Sequence, residues 1–458
     1  MNPLFKSHVY KARREQLSAA FSTGLALFLS NEESAVNYPA NTYHYRQDSN
    51  FLYFFGLSIP NIVGVVDFER RKSLLFGDDF TIDDIIWMGD QPKLSALAAE
   101  VAVDEVRPLA ELATYLKNKE VHFTPPYRPH NKIELSRLLN KNIDELSPSV
   151  HLIKKIVSLR EIKSAEEIEQ MEDAMNIGVR MHAMIMCCCK PGVTERELFG
   201  IAEGIALGMG NGTSFPIILS QNGQTLHNHN HDLTLEKGRL LVMDAGAENV
   251  MNYCSDHTRT LPVSGSFSEQ QREIYETVYL ANMAAIANCK PGIFNLENHK
   301  IAVTIITEGL QKIGLMKGNL EESVALGAHA LFMPHGLGHQ IGLDVHDMED
   351  LGENYVGYDD TIQRSNIFGW RSLRMAKKLK PGHIITVEPG IYFIPHLIDI
   401  WRNEKKFVDF INYEKVETYK NFGGIRIEDC VLITEEGHRV LGTHLPKSVT
   451  EIETILQS

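Results

Sequence analysis

Residues 335–347, HGLGHQIGLDVHD, carry three histidines, His335, His339 and His346, in a segment rich in glycine. The spacing of His335 and His339 is that of a zinc-binding helix, but such a helix supplies a glutamate inside the pair. Here the interior is Gly336, Leu337 and Gly338, a poor helix former. The segment alone leaves two readings: a loop of ordinary polar histidines, or a set of metal ligands. The acids favour the second. Asp244 ends the apolar run of KGRLLVMDAG (237–246), and Glu388 ends that of KPGHIITVEPG (380–390). An acid closing an apolar strand costs free energy unless it is paired or bound to a cation. Each has a second acid downstream: Asp256, returning by what reads as a hairpin, and Glu428 in GGIRIEDCVLI. Arg426 lies two residues before Glu428, which puts both on one strand face.

Four converging carboxylates would repel and raise one another's pKa values without a metal. Their charge is balanced by two divalent cations, and one imidazole, His339, completes the set. The glycines beside it let the backbone come close enough for the ring to reach an ion. An oxygen-rich site with one nitrogen suits Mn²⁺, with Fe²⁺, Co²⁺ and Zn²⁺ also admissible. Such a pair of ions activates a water and polarises a carbonyl, which is the chemistry of hydrolysis.

The elements that must position these residues form a repeat. Ser164 with Glu167, and Ser268 with Gln271, are capping boxes that open helices. Ile168, Met171, Met175 and Val179 then mark an apolar face, as do Ile274 and Val278. Both helices run into Lys-Pro-Gly, in CKPGV (189–193) and CKPGI (289–293), where proline cannot continue and glycine is free to take φ > 0. Each copy is followed by a glycine, an apolar strand and an acid six residues later, Asp244 and Glu388. Two such echoes in one order point to an internal duplication. Upstream, the runs 24–30, 61–68, 72–78 and 120–124 read as strands, and 93–102, 109–118 and 133–141 as helices, which makes a separate α/β domain.

The chain has 458 residues, 43% hydrophobic and 23% charged, with formal net charge −14. That length predicts two domains, and the acidic balance argues against nucleic acid as the main partner. No apolar run approaches the roughly 20 residues of a membrane span, and the N-terminal stretch has no signal-peptide core, so the expected location is cytoplasmic. The cysteines, three of them consecutive at 187–189, make no CxxC pair or regular framework and are expected reduced.

In combination, VMDAGAE, SDHTRTLPV, FMPHGLGHQIGLDVHD, TVEPGIY and GGIRIEDCVLIT resemble, in order, the motifs of the pita-bread metallopeptidases, specifically the Xaa-Pro peptidases, aminopeptidase P and prolidase. YRQDSNFLYFFGL (45–57) resembles a signature of their N-terminal domain. The resemblance implies an α/β N-terminal domain, 1–157, and an α+β pita-bread catalytic domain, 158–458, with a pseudo-twofold duplicated antiparallel sheet covered by helices. It implies that Asp244 chelates one metal, Asp256 and Glu428 bridge both, and His339 and Glu388 complete the other ion's set of ligands, Glu388 doubling as proton shuttle. His335 and His346 match histidines that contact substrate and the developing oxyanion, and His227 in TLHNHNHD matches a further active-site histidine. Arg426 would pair with the acids. His229 and His231 are expected in a solvated loop. Asp244 and Asp256 stand twelve apart, one more than is usual in the family, which alters the hairpin turn.

The implied substrates are Xaa-Pro peptides or dipeptides, whose scissile bond is a tertiary amide without an N–H; a homodimer is the usual family arrangement. WRSLRMAKKLKPG resembles prolidase, where an arginine at the position of Arg374 grips the free carboxylate of a dipeptide, a task that suits a guanidinium fork. The alternative is a solvated basic stretch with Lys377, Lys378 and Lys380. The two activities are not separated by the sequence. The same fold also serves as a non-catalytic binding module and as a metal-free creatinase-like hydrolase; both kinds have lost metal ligands, and all five ligand positions are intact here.

Overall fold

The computed structural model describes residues 3–457 and divides into two compact units. One runs to Arg160 and takes in Asp350–Tyr355; the other comprises Glu161–Glu349 and resumes at Val356.

The first unit is built on a five-stranded mixed sheet. Leu25–Leu29 and Val63–Asp67 pair antiparallel at its centre, Lys72–Phe76 continues antiparallel, and Glu105–Arg107 and Val121–His122 join the edges in parallel. The central strands are the expected ones, because their apolar runs are buried on both faces. Helices Leu94–Glu100 and Pro129–Leu139 also fall where the pattern put them, while 109–118 becomes a 3₁₀ turn, Leu109–Glu111, leading into the short helix Leu112–Leu116. The motif at 45–57 is a helix, Ser49–Phe55, capped by Asp48 and ended by Gly56 at φ +68°. All seven of its residues are buried. Phe54 and Phe55 pack against Phe28, and a Cβ on Gly64 would lie 2.3 Å from the Phe55 ring, so the sheet needs glycine there.

The second unit shows the repeat. Ser164 caps helix Ala165–Cys188 and Ser268 caps helix Glu269–Asn288, both as complete capping boxes. The Lys-Pro-Gly turns follow, with Gly192 at φ +91° and Gly292 at φ +86°. Each turn feeds a second helix, Glu195–Met209 and Asn295–Lys312 respectively. The strands come next. Leu240–Ala245 lies between Ile218–Ser220 and His257–Pro262, and Ile384–Val387 pairs with Asp429–Ile433, which pairs with His438–Val440. Gly390–Tyr392 pairs with Gly424–Arg426. Every pairing is antiparallel, and a bridge between Thr258 and Glu428 joins the two halves. This is the α+β pita-bread architecture, with the apolar faces of the two long helix pairs buried in one core.

Among the described residues no helix is long and apolar enough to cross a membrane. All six cysteines are free thiols.

Candidate metal centre

The five expected ligands reach one cleft of about 650 Å³ in the second unit. Asp244 is the penultimate residue of Leu240–Ala245, directly opposite Thr258 in the antiparallel register. Asp256 immediately precedes the returning strand His257–Pro262. Glu388 follows the last residue of Ile384–Val387 and is held by its backbone N–H to the Leu337 carbonyl at 2.8 Å. Glu428 donates its backbone N–H to the Thr258 carbonyl at 3.0 Å, and its Oε2 accepts from Thr258 Oγ1 at 2.7 Å.

Arg426 and Glu428 do not share one continuous strand, as their spacing suggested. The strand Gly424–Arg426 ends, Ile427 turns its N–H to the Pro389 carbonyl, and a new strand begins at Asp429. Both side chains still meet at Thr258, because Arg426 Nε donates to the same Oγ1 at 3.1 Å. Its Nη2 lies 2.5 Å from Asp244 Oδ2 and its Nη1 donates to the Tyr392 hydroxyl at 2.8 Å.

The segment 335–347 is not helical. A Cβ on Gly336 would lie 2.5 Å from Leu373 Cα, and one on Gly338 would lie 2.0 Å from the Thr386 carbonyl oxygen. The two glycines therefore let this segment lie against neighbouring backbone, with Thr386 N–H bonded to the His339 carbonyl at 2.9 Å. His339 Nδ1 faces the Gln340 carbonyl at 3.0 Å and so carries the proton. That leaves the Nε2 lone pair directed at Asp256 Oδ2, 3.4 Å away, and Glu388 Oε1, 3.8 Å away.

Asp256, His339 and Glu428 are all buried, and each offers a ligand atom within 4.8 Å of the others. Burial, and then the neighbouring Asp244 and Glu388, push the Asp256 carboxyl well above its ordinary range. Burial and Asp256 do the same to Glu428. Glu388 is raised to about 8, again chiefly by burial, with Arg426 opposing and Asp244 adding to the rise. Among the described residues, Asp244 Oδ1, Asp256 Oδ1 and Glu428 Oε1 are buried without a hydrogen-bond donor. Unpartnered oxygens of crowded acids, beside an imidazole presenting a lone pair, are a donor set that fits hard or borderline divalent cations.

The surrounding histidines are placed as follows. His335 Nδ1 lies 2.7 Å from the Gly336 carbonyl and Nε2 lies 2.9 Å from the Tyr392 hydroxyl. Tyr392 accepts from Arg426, so its own proton goes to His335, and both ring nitrogens are engaged. Burial lowers the His335 pKa to about 3. His346 stands edge-on to His339, ring centres 4.2 Å apart, with Nδ1 2.5 Å from Glu349 Oε2. His227 lines the cleft.

Three expectations need correction or completion. His229 is exposed in irregular chain and in addition lines the cleft beside His227, its ring 6.5 Å away. His231 bonds the Leu219 carbonyl at 3.0 Å and stacks on Phe199. The basic stretch after Arg371 is only in part a solvated face: Lys378 and Lys380 are exposed, but Lys377 is buried 2.5 Å from Glu161, and Arg374 lines the cleft, ion-paired to Glu349. Tyr392, Thr258 and Glu349 were not singled out from the sequence. TVEPGIY already contained the first, but Glu349 opens a single 3₁₀ turn, Glu349–Leu351, too short for any spacing to mark it.

Comparison with known proteins agrees with this geometry. Residues 169–435 match the model of metallopeptidase family M24, and residues 10–122 match that of the aminopeptidase P N-terminal domain. The chain is 32% identical to the Xaa-Pro dipeptidase of Homo sapiens, over 97% of this chain and 91% of the relative. It is 29% identical to a probable Xaa-Pro aminopeptidase of Aspergillus niger, over 98% and 97%. Among solved structures, the aminopeptidase PepP of Pseudomonas aeruginosa superposes with a TM-score of 0.81 at 28% identity, covering 100% of this chain and 99% of that one. Aminopeptidase P of Escherichia coli gives 0.82 at 28%, covering 99% of both. With a family match over more than half its length, and the expected ligand residues lining one cleft, the chain belongs to metallopeptidase family M24.

Proposed function

We propose that this chain is a metal-dependent exopeptidase that hydrolyses the Xaa-Pro bond of dipeptides or at the N-terminus of short peptides. The observation that carries the reading is the cluster of Asp256, His339 and Glu428, flanked by Asp244 and Glu388 and opening on the cleft. Asp244, Asp256, His339, Glu388 and Glu428 are the residues that would hold the cations, with Asp256 and Glu428 at the centre of the set. Two divalent cations, Mn²⁺ in our reading, would there supply a Lewis acid for the carbonyl and lower the pKa of the attacking water.

The chain's own groups do the rest. Glu388 takes the proton of the attacking water and passes it to the proline nitrogen, which leaves as a secondary amine. Arg426 fixes the Asp244 carboxylate and, through Tyr392, the His335 ring. His335, His346 and His227 border the space where the substrate carbonyl and the residue before proline lie. The substrate's free α-amine is drawn to the acidic cluster, which favours attack at an N-terminus. No step needs an N–H on the scissile bond, so the proline ring is no obstacle.

Arg374, at the same cleft, is the group suited to a dipeptide's free carboxylate. The relatives named as dipeptidase and as aminopeptidase are similarly close, so both activities remain within the proposal. A homodimer, a cytoplasmic location with reduced thiols, and a catalytic domain beginning near residue 158 complete it. The test is hydrolysis of Ala-Pro and Ala-Pro-Ala with added Mn²⁺. Cleavage of the dipeptide alone identifies a prolidase, and release of alanine from the tripeptide an aminopeptidase P. Absence of both, with no metal bound, would return the chain to the binding-module reading.

A further inference from the structure

Glu349 has no part in the proposed reaction, yet it joins two residues that do. Its Oε2 lies 2.5 Å from His346 Nδ1, and its Oε1 accepts from Arg374 Nη1. The three side chains are about equally half-buried, at 34%, 34% and 33% exposure, and His346 and Arg374 both line the cleft. Beyond His346, the edge-on ring contact leads to His339. A continuous line of contacts thus runs from the arginine suited to a substrate carboxylate to a metal-ligand histidine.

An arginine that already holds an internal carboxylate is a weaker trap for an external one, because the incoming anion must share or displace the first. When Arg374 turns toward a substrate, Glu349 keeps its other partner, His346. We infer that Glu349 is a specificity-determining positioning residue: it is the built-in rival for the substrate's C-terminal carboxylate at Arg374, and it transmits occupation of Arg374 to His346. This rests on the reading of Arg374 as the carboxylate grip. Its charge tempers the advantage of dipeptides and keeps the cleft usable for peptides whose carboxylate lies farther away.

The test compares Ala-Pro with Ala-Pro amide, which differ only in the C-terminal charge, in the metal-loaded protein and its E349Q, R374Q and double variants. Glutamine keeps the size and accepting oxygen of Glu349 and removes its charge. For E349Q, KM for Ala-Pro is expected to fall roughly three- to tenfold while that for the amide stays unchanged. Because His346 loses its anionic partner, kcat falls by one common factor on both substrates. A purely structural role would move both KM values together. In the R374Q background the E349Q effect on the KM ratio disappears. Calorimetric binding of the two ligands to the metal-stripped protein should follow the same ratio. If R374Q changes the Ala-Pro to amide ratio and E349Q does not, the inference about Glu349 is overturned while the Arg374 reading stands. If R374Q leaves the ratio unchanged, the Arg374 reading itself fails.

Discussion

Replacing Gly338 by alanine should unseat His339 without unfolding the protein. The added Cβ would stand 2.0 Å from the Thr386 carbonyl oxygen and 2.8 Å from its Oγ1. Ordinary contact is about 3.5 Å, so the two backbones must part by roughly 1.5 Å. Two bonds hold them now: Thr386 N–H to the His339 carbonyl at 2.9 Å, and His339 N–H to Thr386 Oγ1 at 3.1 Å. Losing both costs about 1–3 kcal/mol, and the crowding itself another 1–3 kcal/mol. The sum, about 2–6 kcal/mol, is within what a large domain can absorb, but His339 Nε2 would move by more than 1 Å, beyond what a metal site tolerates. The assay is divalent-metal affinity by calorimetry, with thermal unfolding in chelator and in excess Mn²⁺. The expected result is a folded protein whose metal affinity and hydrolysis drop at least a hundredfold, with little of the thermal shift that metal gives the parent chain. Gly200→Ala is the control: that glycine is exposed in a helix with nothing within 4 Å of the new methyl, and the change should stabilise by about 0.5–1 kcal/mol. Wild-type metal affinity in G338A would refute the argument that close approach places His339.

Other expectations follow from the same structure. In the metal-free protein Asp256, Glu428 and Glu388 have raised pKa values, the last to about 8, so the folded chain holds protons that the unfolded chain has already released. Its stability should therefore fall between pH 5 and pH 8, a decline that denaturant titration with chelator would miss only if these acids are not buried together. Metal binding at pH 7 should release more than one proton, read as a dependence of the calorimetric heat on buffer ionisation. Glu161→Gln strands the buried Lys377 ammonium, 2.5 Å from the carboxylate it loses, and should destabilise by about 3–5 kcal/mol by denaturant titration. Ser268→Ala removes the side-chain cap of helix Glu269–Asn288 and should cost about 1 kcal/mol with metal affinity unchanged.

Much of the site was legible because its demands are local. An acid ending a buried strand, or glycines on both sides of a histidine, contradict ordinary propensity, and such contradictions mark function. The capping boxes at Ser164 and Ser268 and the Lys-Pro-Gly turns fixed the repeat, since cap chemistry is written within four residues. The helix Ser49–Phe55 was harder to see: all its residues are buried, so it has no polar face to give it a period. The strand break at Ile427 was hidden because residues 425–428 alternate as one strand would, and the tertiary bond to Pro389 divides them. His227, His229 and His231 share one irregular segment, where spacing says nothing about direction. Glu349 depends on a partner 25 residues away along a loop path, which no periodicity could disclose.

The central claim is that Asp244, Asp256, His339, Glu388 and Glu428 together hold two cations. Anomalous diffraction from a crystal soaked in Mn²⁺ addresses it without any assay. Two peaks inside this cleft, each touched by carboxylates of the set and one of them by His339 Nε2, are the predicted result. A map with no peak there, or with density only at sites elsewhere on the surface, would contradict it.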